Sequence, residues 1–157
     1  MYIVGINAYH PDASVALIKD GELLWAAEEE RFNRIKHAGG FPTKALKACF
    51  QSLRLNPDEI DVVAISRDPK RHRLKKIMGT IQHRISPSLL LDRLKVLRRG
   101  TNFEQDYFNA LGIQASSVKT QFVHVEHHMA HIASSFFVSG FKKAACLSMD
   151  GLGDYAS

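Results

Sequence analysis

The sequence predicts an α/β fold in which helices flank a mixed β-sheet. Three observations point there. The chain opens with three apolar segments joined by tight turns, the pattern of consecutive antiparallel strands. Short apolar runs then alternate with segments whose apolar residues recur every three or four positions, as in strands separated by amphipathic helices. A hairpin followed by such alternation requires antiparallel and parallel pairing in one sheet.

Residues 2–8, YIVGINA, are an apolar, β-branched run with the look of a buried strand. The turn-rich YHPD follows, and a second strand covers SVALIK. Asp20-Gly21 is a strong two-residue hairpin signal, leading into ELLWAAEEE, a third strand that turns acidic. Thr43 is placed to cap a helix in which Ala45, Leu46, Cys49, Phe50 and Leu53 keep the helical period. VVAIS is a short apolar strand. Leu74, Ile77, Met78, Ile81 and Ile85 fall at helical spacing, Ser86-Pro87 begins a second helix, and NFEQDYFNAL makes a third that Gly112 stops. TQFVHV is a strand, VEHHMAHIASSFF a helix ending near Gly140, and AACLSMD a last strand before the turn GLGD. An apolar strand without neighbours at the end of the sequence implies a fragment of a longer chain.

Hydrophobic content of 45% and charged content of 24% suit a globular protein. No apolar run approaches the ~20 residues a bilayer-crossing helix needs, and MYIVGINAYH has no secretory pattern. Cys49 and Cys146 sit in apolar surroundings and read as small core residues of a reducing compartment, which makes the cytoplasm the expected location. Charge is uneven: between Arg67 and Gly100 there are 11 Lys and Arg against Asp68 and Asp92, so the segment carries +9 and the rest −4. Such a block suggests an anionic partner, an acidic neighbouring domain or a solvated helical insertion at about 67–118. It lacks the motifs and aromatics of a nucleic-acid reader, so nucleic acid is not the expected partner.

Three histidines crowd the start of the helix in VEHHMAHIASSFF. His127 and His131 are four apart, which puts both rings on one side of a helix, the spacing two helical metal ligands require. Half-buried, hydrogen-bonded histidines would give the same spacing. In NAYHPDAS, Asn7, His10 and Asp12 gather polar groups into a turn after a buried strand; an Asx-turn bent by Pro11 explains Asp12 equally well. EEERFNRIKHAGGFP carries Arg31, Arg34, Lys36 and His37, read either as phosphate-facing cations or as a solvated loop paired with Glu28 to Glu30. Gly151 and Gly153 allow a tight turn beside a phosphate, or a plain hairpin.

GINAYHPDASVALIKDGELLWAAEEERFNRIKHAGGFP, HVEHHMAHIASSFF and LSMDGLGDYAS together resemble the N-terminal part of the O-carbamoyltransferases of the nodulation and antibiotic-tailoring type. The resemblance runs nearly end to end and is weakest at 67–118. It implies a ribonuclease-H-like (actin-like ATPase) half-domain at 1–142, related to the tRNA threonylcarbamoyl transferases, with 143–157 beginning a second half-domain. It also implies an ATP-dependent transfer of a carbamoyl group from carbamoyl phosphate, through carbamoyl-adenylate, to a hydroxyl of a sugar- or antibiotic-like acceptor, with further C-terminal domains as partners.

By the same resemblance His127 and His131 hold a divalent metal, iron, that helps hold nucleotide phosphates, with His128 not a ligand. Asp12 or His10 assists proton removal; Asn7, Lys36 and His37 contact substrate; Gly151 and Gly153 face phosphate. The family's third metal ligand is an aspartate beyond Ser157, so two ligands alone should bind metal weakly. The strand at 144–150 is expected to bury itself against a second copy, giving a homo-oligomer through 141–157. The alternative reading is a basic actin-like binding module acting through 67–100; a zinc-stabilised structural domain is disfavoured because no four-ligand set is visible.

Overall fold

The computed structural model describes residues 1–67 and 102–149. The expected helices of the basic block, and the turn with Gly151 and Gly153, lie outside the described residues. Five strands make one sheet: β1 (Tyr2–Asn7), β2 (Ser14–Lys19), β3 (Glu22–Glu28), β4 (Val62–Ile65) and β5 (Gln121–His124). The order is β3-β2-β1-β4-β5. β1 is antiparallel to β2 and β2 to β3, whereas β4 runs parallel to both β1 and β5. The helices are α1 (Glu30–Asn33), α2 (Thr43–Leu53), α3 (Phe103–Leu111) and α4 (His127–Phe136), with 3-10 turns at Pro57–Glu59 and Ala115–Ser117.

The first hairpin follows from its turn. Asp20 and Gly21 both take positive φ, 50° and 88°, which two-residue hairpins need to match strand twist. β2 and β3 then pair with a register shift at Leu17/Ile18 that leaves Leu24 as the extra residue.

Alternation divides the sheet into two unlike faces. On one, Val4, Ile6, Val15, Leu17, Val63 and Ile65 are buried in a core completed by Leu46, Cys49 and Phe50 of α2 and Phe103, Tyr107 and Phe108 of α3. Burial pushes the Cys49 thiol up to about 11, so it is an inert packing group. On the other face, paired positions bring Ala26, Ala16, Gly5 and Ala64 into one row of small residues across four strands. Nearer the carboxyl end of β1, Glu28, Ser14 and Asn7 make a polar row. This face is only partly covered, by α4.

Helix α2 corrects one expectation. Thr43 is the first helical residue, not the cap, and no side chain at the preceding Pro42 bonds the helix. Glu29 does this from 15 residues upstream: its carboxylate accepts the backbone N–H of Lys44 at 3.1 Å and of Ala45 at 2.7 Å. At 7% exposure it is the buried charged residue of the described core, held where the helix dipole favours an anion. The expected pairing of Glu29 with loop cations is therefore wrong, because two orphan N–H groups offer a better-fixed partner.

Two further expectations fail. Residues 144–149 form no strand; the segment is irregular, with Leu147 82% and Met149 86% exposed, since no neighbouring strand among the described residues offers it a ladder. Cys146 is exposed rather than a core residue. Helix α4 stops at Phe136, and the chain turns at Gly140, φ 73°. Among the described residues no helix is long and apolar enough to cross a membrane.

Candidate functional site

The carboxyl ends of β1, β4 and β5 lie side by side, and the loops leaving them carry most of the residues singled out above. That end of a parallel sheet is where backbone and loops converge on ligands in open α/β folds. After β1 the loop at 8–13 is strained: Tyr9 and Asp12 take φ of 66° and 63°. It is held by Tyr9 N–H to Gly40 O at 2.9 Å, Ala13 N–H to Ala38 O at 3.1 Å, and Glu29 N–H to Ala13 O at 2.8 Å. Gly40 (φ +102°) can adopt its conformation because it has no Cβ, and a Cβ on Gly39 would sit 3.4 Å from the His10 carbonyl. The glycine pair therefore lets one loop close over the other.

Asn7 joins three pieces of chain. Its Nδ2 donates to the Asp12 carbonyl at 3.1 Å, and its Oδ1 accepts Ser66 Oγ–H at 3.0 Å, tying the loop to the end of β4. Asp12 and His37 form an exposed pair, Oδ1 to Nδ1 at 2.8 Å. The hydrogen bond and charge of Asp12 raise the His37 pKa above the ordinary 6.5. His37 itself has φ 53° and its backbone N–H reaches Glu30 Oε2 at 3.4 Å. Lys36, beside it, is exposed.

Helix α4 begins two residues after β5. Glu126 caps it, accepting the N–H of His128 at 3.2 Å and of Met129 at 3.0 Å. With the first turn fixed, His127 and His131 lie on one side, their Nε2 atoms 3.1 Å apart and their rings perpendicular. The His10 ring comes in from the first loop, its centroid 5.6 Å from that of His127. His128 points elsewhere, its Nδ1 3.0 Å from Ser148 Oγ. A cleft of about 780 Å³ opens over the small-residue face of the sheet, floored by Gly5, Asn7 and Ser66 and walled by Ala130 and Ser134 of α4; Asn7 and Arg31 line it, whereas His10, Asp12, Lys36, His37, His127 and His131 do not. The small residues of the open sheet face are what leave that volume.

Residues 2–157 match the family described as carbamoyltransferase N-terminus. The chain belongs to that family. It is 33% identical over 162 residues to the uncharacterised protein sll1178 of Synechocystis, which covers 99% of this chain and 26% of that protein. It is 31% identical over 153 residues to the nodulation protein NolNO of Sinorhizobium fredii, covering 96% of this chain and 21% of the relative. The protein MJ1051 of Methanocaldococcus jannaschii is 30% identical over 152 residues, 97% of this chain and 22% of its own. The chain thus spans about a fifth to a quarter of the length of these curated relatives.

The family resemblance implies a metal, and the imidazole pair fits one. Two nitrogens each about 2.1 Å from a common ion and 3.1 Å apart subtend roughly 95° at it, close to an octahedral corner. The same separation suits a proton shared between the rings, so the pair is compatible with both states. Among the described residues no group of three or more His, Cys, Asp or Glu is assembled to hold an ion. A pair of neutral imidazoles leaves the other positions to oxygen donors.

Sequence reasoning passed over Tyr9, Ser66, Arg67 and Asp106, which meet at the same strand ends. Tyr9 donates its hydroxyl proton to Asp106 Oδ2 at 2.5 Å, and burial followed by that carboxylate raises its pKa well above the ordinary phenol range. The Arg67 guanidinium lies 6.0 Å from the Tyr9 ring centroid. Arg67 follows VVAIS directly, so its place at the end of a strand was a usable signal.

Proposed function

We propose that this chain is the N-terminal part of an ATP-dependent carbamoyltransferase, moving a carbamoyl group to a hydroxyl of a small sugar- or antibiotic-like acceptor. The observation that carries the reading is the His127–His131 pair, Nε2 to Nε2 at 3.1 Å, with the His10 ring beside it, in a chain of the carbamoyltransferase family. We also propose the ribonuclease-H-like, actin-like arrangement, with 1–142 as one half-domain and 143–157 opening another. The order β3-β2-β1-β4-β5 with β2 antiparallel supports it.

In the proposed reaction the acceptor oxygen attacks the carbamoyl carbon of carbamoyl-adenylate. The bond from that carbon to the phosphate oxygen breaks, AMP leaves with the electron pair, and the hydroxyl proton passes to the His37–Asp12 pair. Asp12 orients the His37 ring through its Nδ1 and strengthens it as a base. His10 lines the acceptor side, and Asn7, fixed by Ser66, turns its remaining amide proton toward substrate oxygens. Lys36 and the glycines Gly151 and Gly153 are assigned to phosphate. A divalent ion, iron by resemblance, would be held by His127 and His131 and would supply positive charge against the nucleotide phosphates.

The test is carbamoyl transfer from carbamoyl phosphate to a panel of hydroxyl acceptors, with ATP and Fe²⁺ or Mn²⁺. The chain is joined for this to the C-terminal sequence its relatives carry. The expected products are AMP, inorganic pyrophosphate, phosphate and carbamoylated acceptor, with Asp12→Asn and His131→Ala each slower by roughly 10²-fold or more. Full activity in both variants overturns the reading. The exposed Leu147 and Met149 also support self-association through 141–157, which sedimentation of the 157-residue chain tests: a monomer at tens of micromolar removes it.

A further inference from the structure

The loop that carries His10 and Asp12 turns on an aromatic residue in a left-handed conformation. Tyr9 has φ 66°, where a side chain this bulky persists only when its surroundings hold it. Ala8 and Ala13, at the two ends of the loop, are buried, whereas Pro11 and Asp12 at its tip are exposed. The shape of the tip therefore depends on the bonds the loop makes to other segments. Two are backbone bonds to the glycine loop, from Tyr9 N–H to Gly40 O and from Ala13 N–H to Ala38 O. A third is the Asn7 amide on the Asp12 carbonyl.

The fourth bond comes from a side chain and reaches furthest. The Tyr9 phenol donates to Asp106 in the first turn of α3, 97 residues along the chain. The Tyr9 ring also packs near Phe41, centroids 6.4 Å apart, directly after the glycine that takes its N–H. One residue is thus pinned to the glycine loop by backbone and ring, and to α3 by its hydroxyl. A hydrogen bond to a carboxylate is roughly twice as strong as one between neutral groups, which helps to hold the left-handed backbone in place. The consequence falls on the neighbours of Tyr9. His10, the next residue, brings its ring to 5.6 Å from that of His127. Asp12, three along, meets His37 at 2.8 Å. Tyr9 itself takes part in neither contact.

We propose that Tyr9, through its bond to Asp106, is a positioning residue: it holds the first loop in the shape that sets His10 against His127 and Asp12 against His37. Its bearing on catalysis rests on the reaction proposed above; its hold on the loop does not. Tyr9→Phe removes the hydroxyl and keeps the ring. In the 157-residue chain it should quicken hydrogen exchange of the Ala13 amide by about tenfold more than that of the β4 amides. It should also weaken the nuclear Overhauser contact between the His10 and His127 rings. In the chain joined to the C-terminal sequence of its relatives, kcat for carbamoyl transfer should fall by roughly tenfold or more, while KM for ATP and carbamoyl phosphate moves by less than about threefold.

Asp106→Asn keeps an acceptor oxygen and should retain both the loop readings and most of the rate. Asp106→Ala should behave as Tyr9→Phe, and the double variant should be no worse than either, because the two changes break one bond. Loop readings in Tyr9→Phe that match wild type, whether or not Tm falls, make Tyr9 a packing residue and overturn the proposal. A joined Tyr9→Phe chain that transfers carbamoyl at the wild-type rate overturns it as well. If the joined wild-type chain transfers none, the proposed reaction is what fails, and the loop readings alone decide the role of Tyr9.

Discussion

The two faces of the sheet are made by alternate residues of the same strands, and they are put to different uses. Val4, Leu17 and Val63 face α2 and α3 and are wholly buried. Their immediate neighbours Ile3, Ala16 and Ala64 face a cleft that α4 covers only in part. The first face can lose nothing without leaving a cavity. The second gives up packing to keep open volume beneath the polar row. Stability and chemistry are thus separated by a one-residue alternation, so substitutions one position apart should report on different properties.

The largest expected effect tests the packed face. Leu17→Ala should cost about 3 kcal/mol in urea unfolding, as a fully buried leucine with no room to collapse. Ile3→Ala, on the cleft face, should cost about 1 kcal/mol. Equal losses would mean the open face is packed as tightly as the closed one, and the contrast would not survive.

Next comes Glu29, which serves the packed face but braces the site. Glu29→Ala strips the acceptors from Lys44 and Ala45 and should cost about 2 kcal/mol. Because the residue 29 N–H donates to the Ala13 carbonyl, hydrogen exchange of the residue 29 amide should stay slow in Glu29→Gln and quicken in Glu29→Ala. A loss below a few tenths of a kcal/mol would show that water replaces the carboxylate at the helix start.

The third test belongs to the open side. His131→Ala should leave unfolding nearly unchanged, since the residue is exposed, while weakening Mn²⁺ or Zn²⁺ binding by tenfold or more, about 1.4 kcal/mol. Calorimetric titration reads it. His128→Ala should leave metal affinity alone, because that ring turns to Ser148. Equal effects from both would dissolve the distinction between the two sides of the helix.

What could be read from the chain alone follows the range of the interactions. The hairpin was legible because Asp20-Gly21 fixes its own turn, and α3 because Gly112 ends it locally. The i, i+4 spacing gave the shared side of His127 and His131, since one helix determines it. Glu29 was not legible as a cap, because its partners lie 15 and 16 residues ahead and a run of three glutamates looks like a solvated edge. The meeting of Tyr9 with Asp106, 97 residues apart, needed the fold itself. The segment at 144–149 misled for the opposite reason: apolar composition suggests a strand, but a strand exists only where another offers its edge.

The smallest expected effect concerns Asp12 and His37, a contact on the open side. Asp12 raises the folded-state pKa of His37 above its ordinary 6.5, first through the hydrogen bond and then through charge. A raised value means the folded chain holds the proton more tightly than the unfolded one. The pair's contribution is therefore fully present below the unfolded value and fades as pH rises through the folded one. Both groups are exposed, so salt screens the effect and it should be slight in any unfolding curve. The ring is the better reporter: by NMR titration His37 should titrate above 6.5 in wild type and fall back toward it in Asp12→Asn. Added salt should move the wild-type value in the same direction. A His37 that titrates identically in the variant would mean the 2.8 Å contact does not persist in solution, and with it would go the assignment of the pair as the proton acceptor.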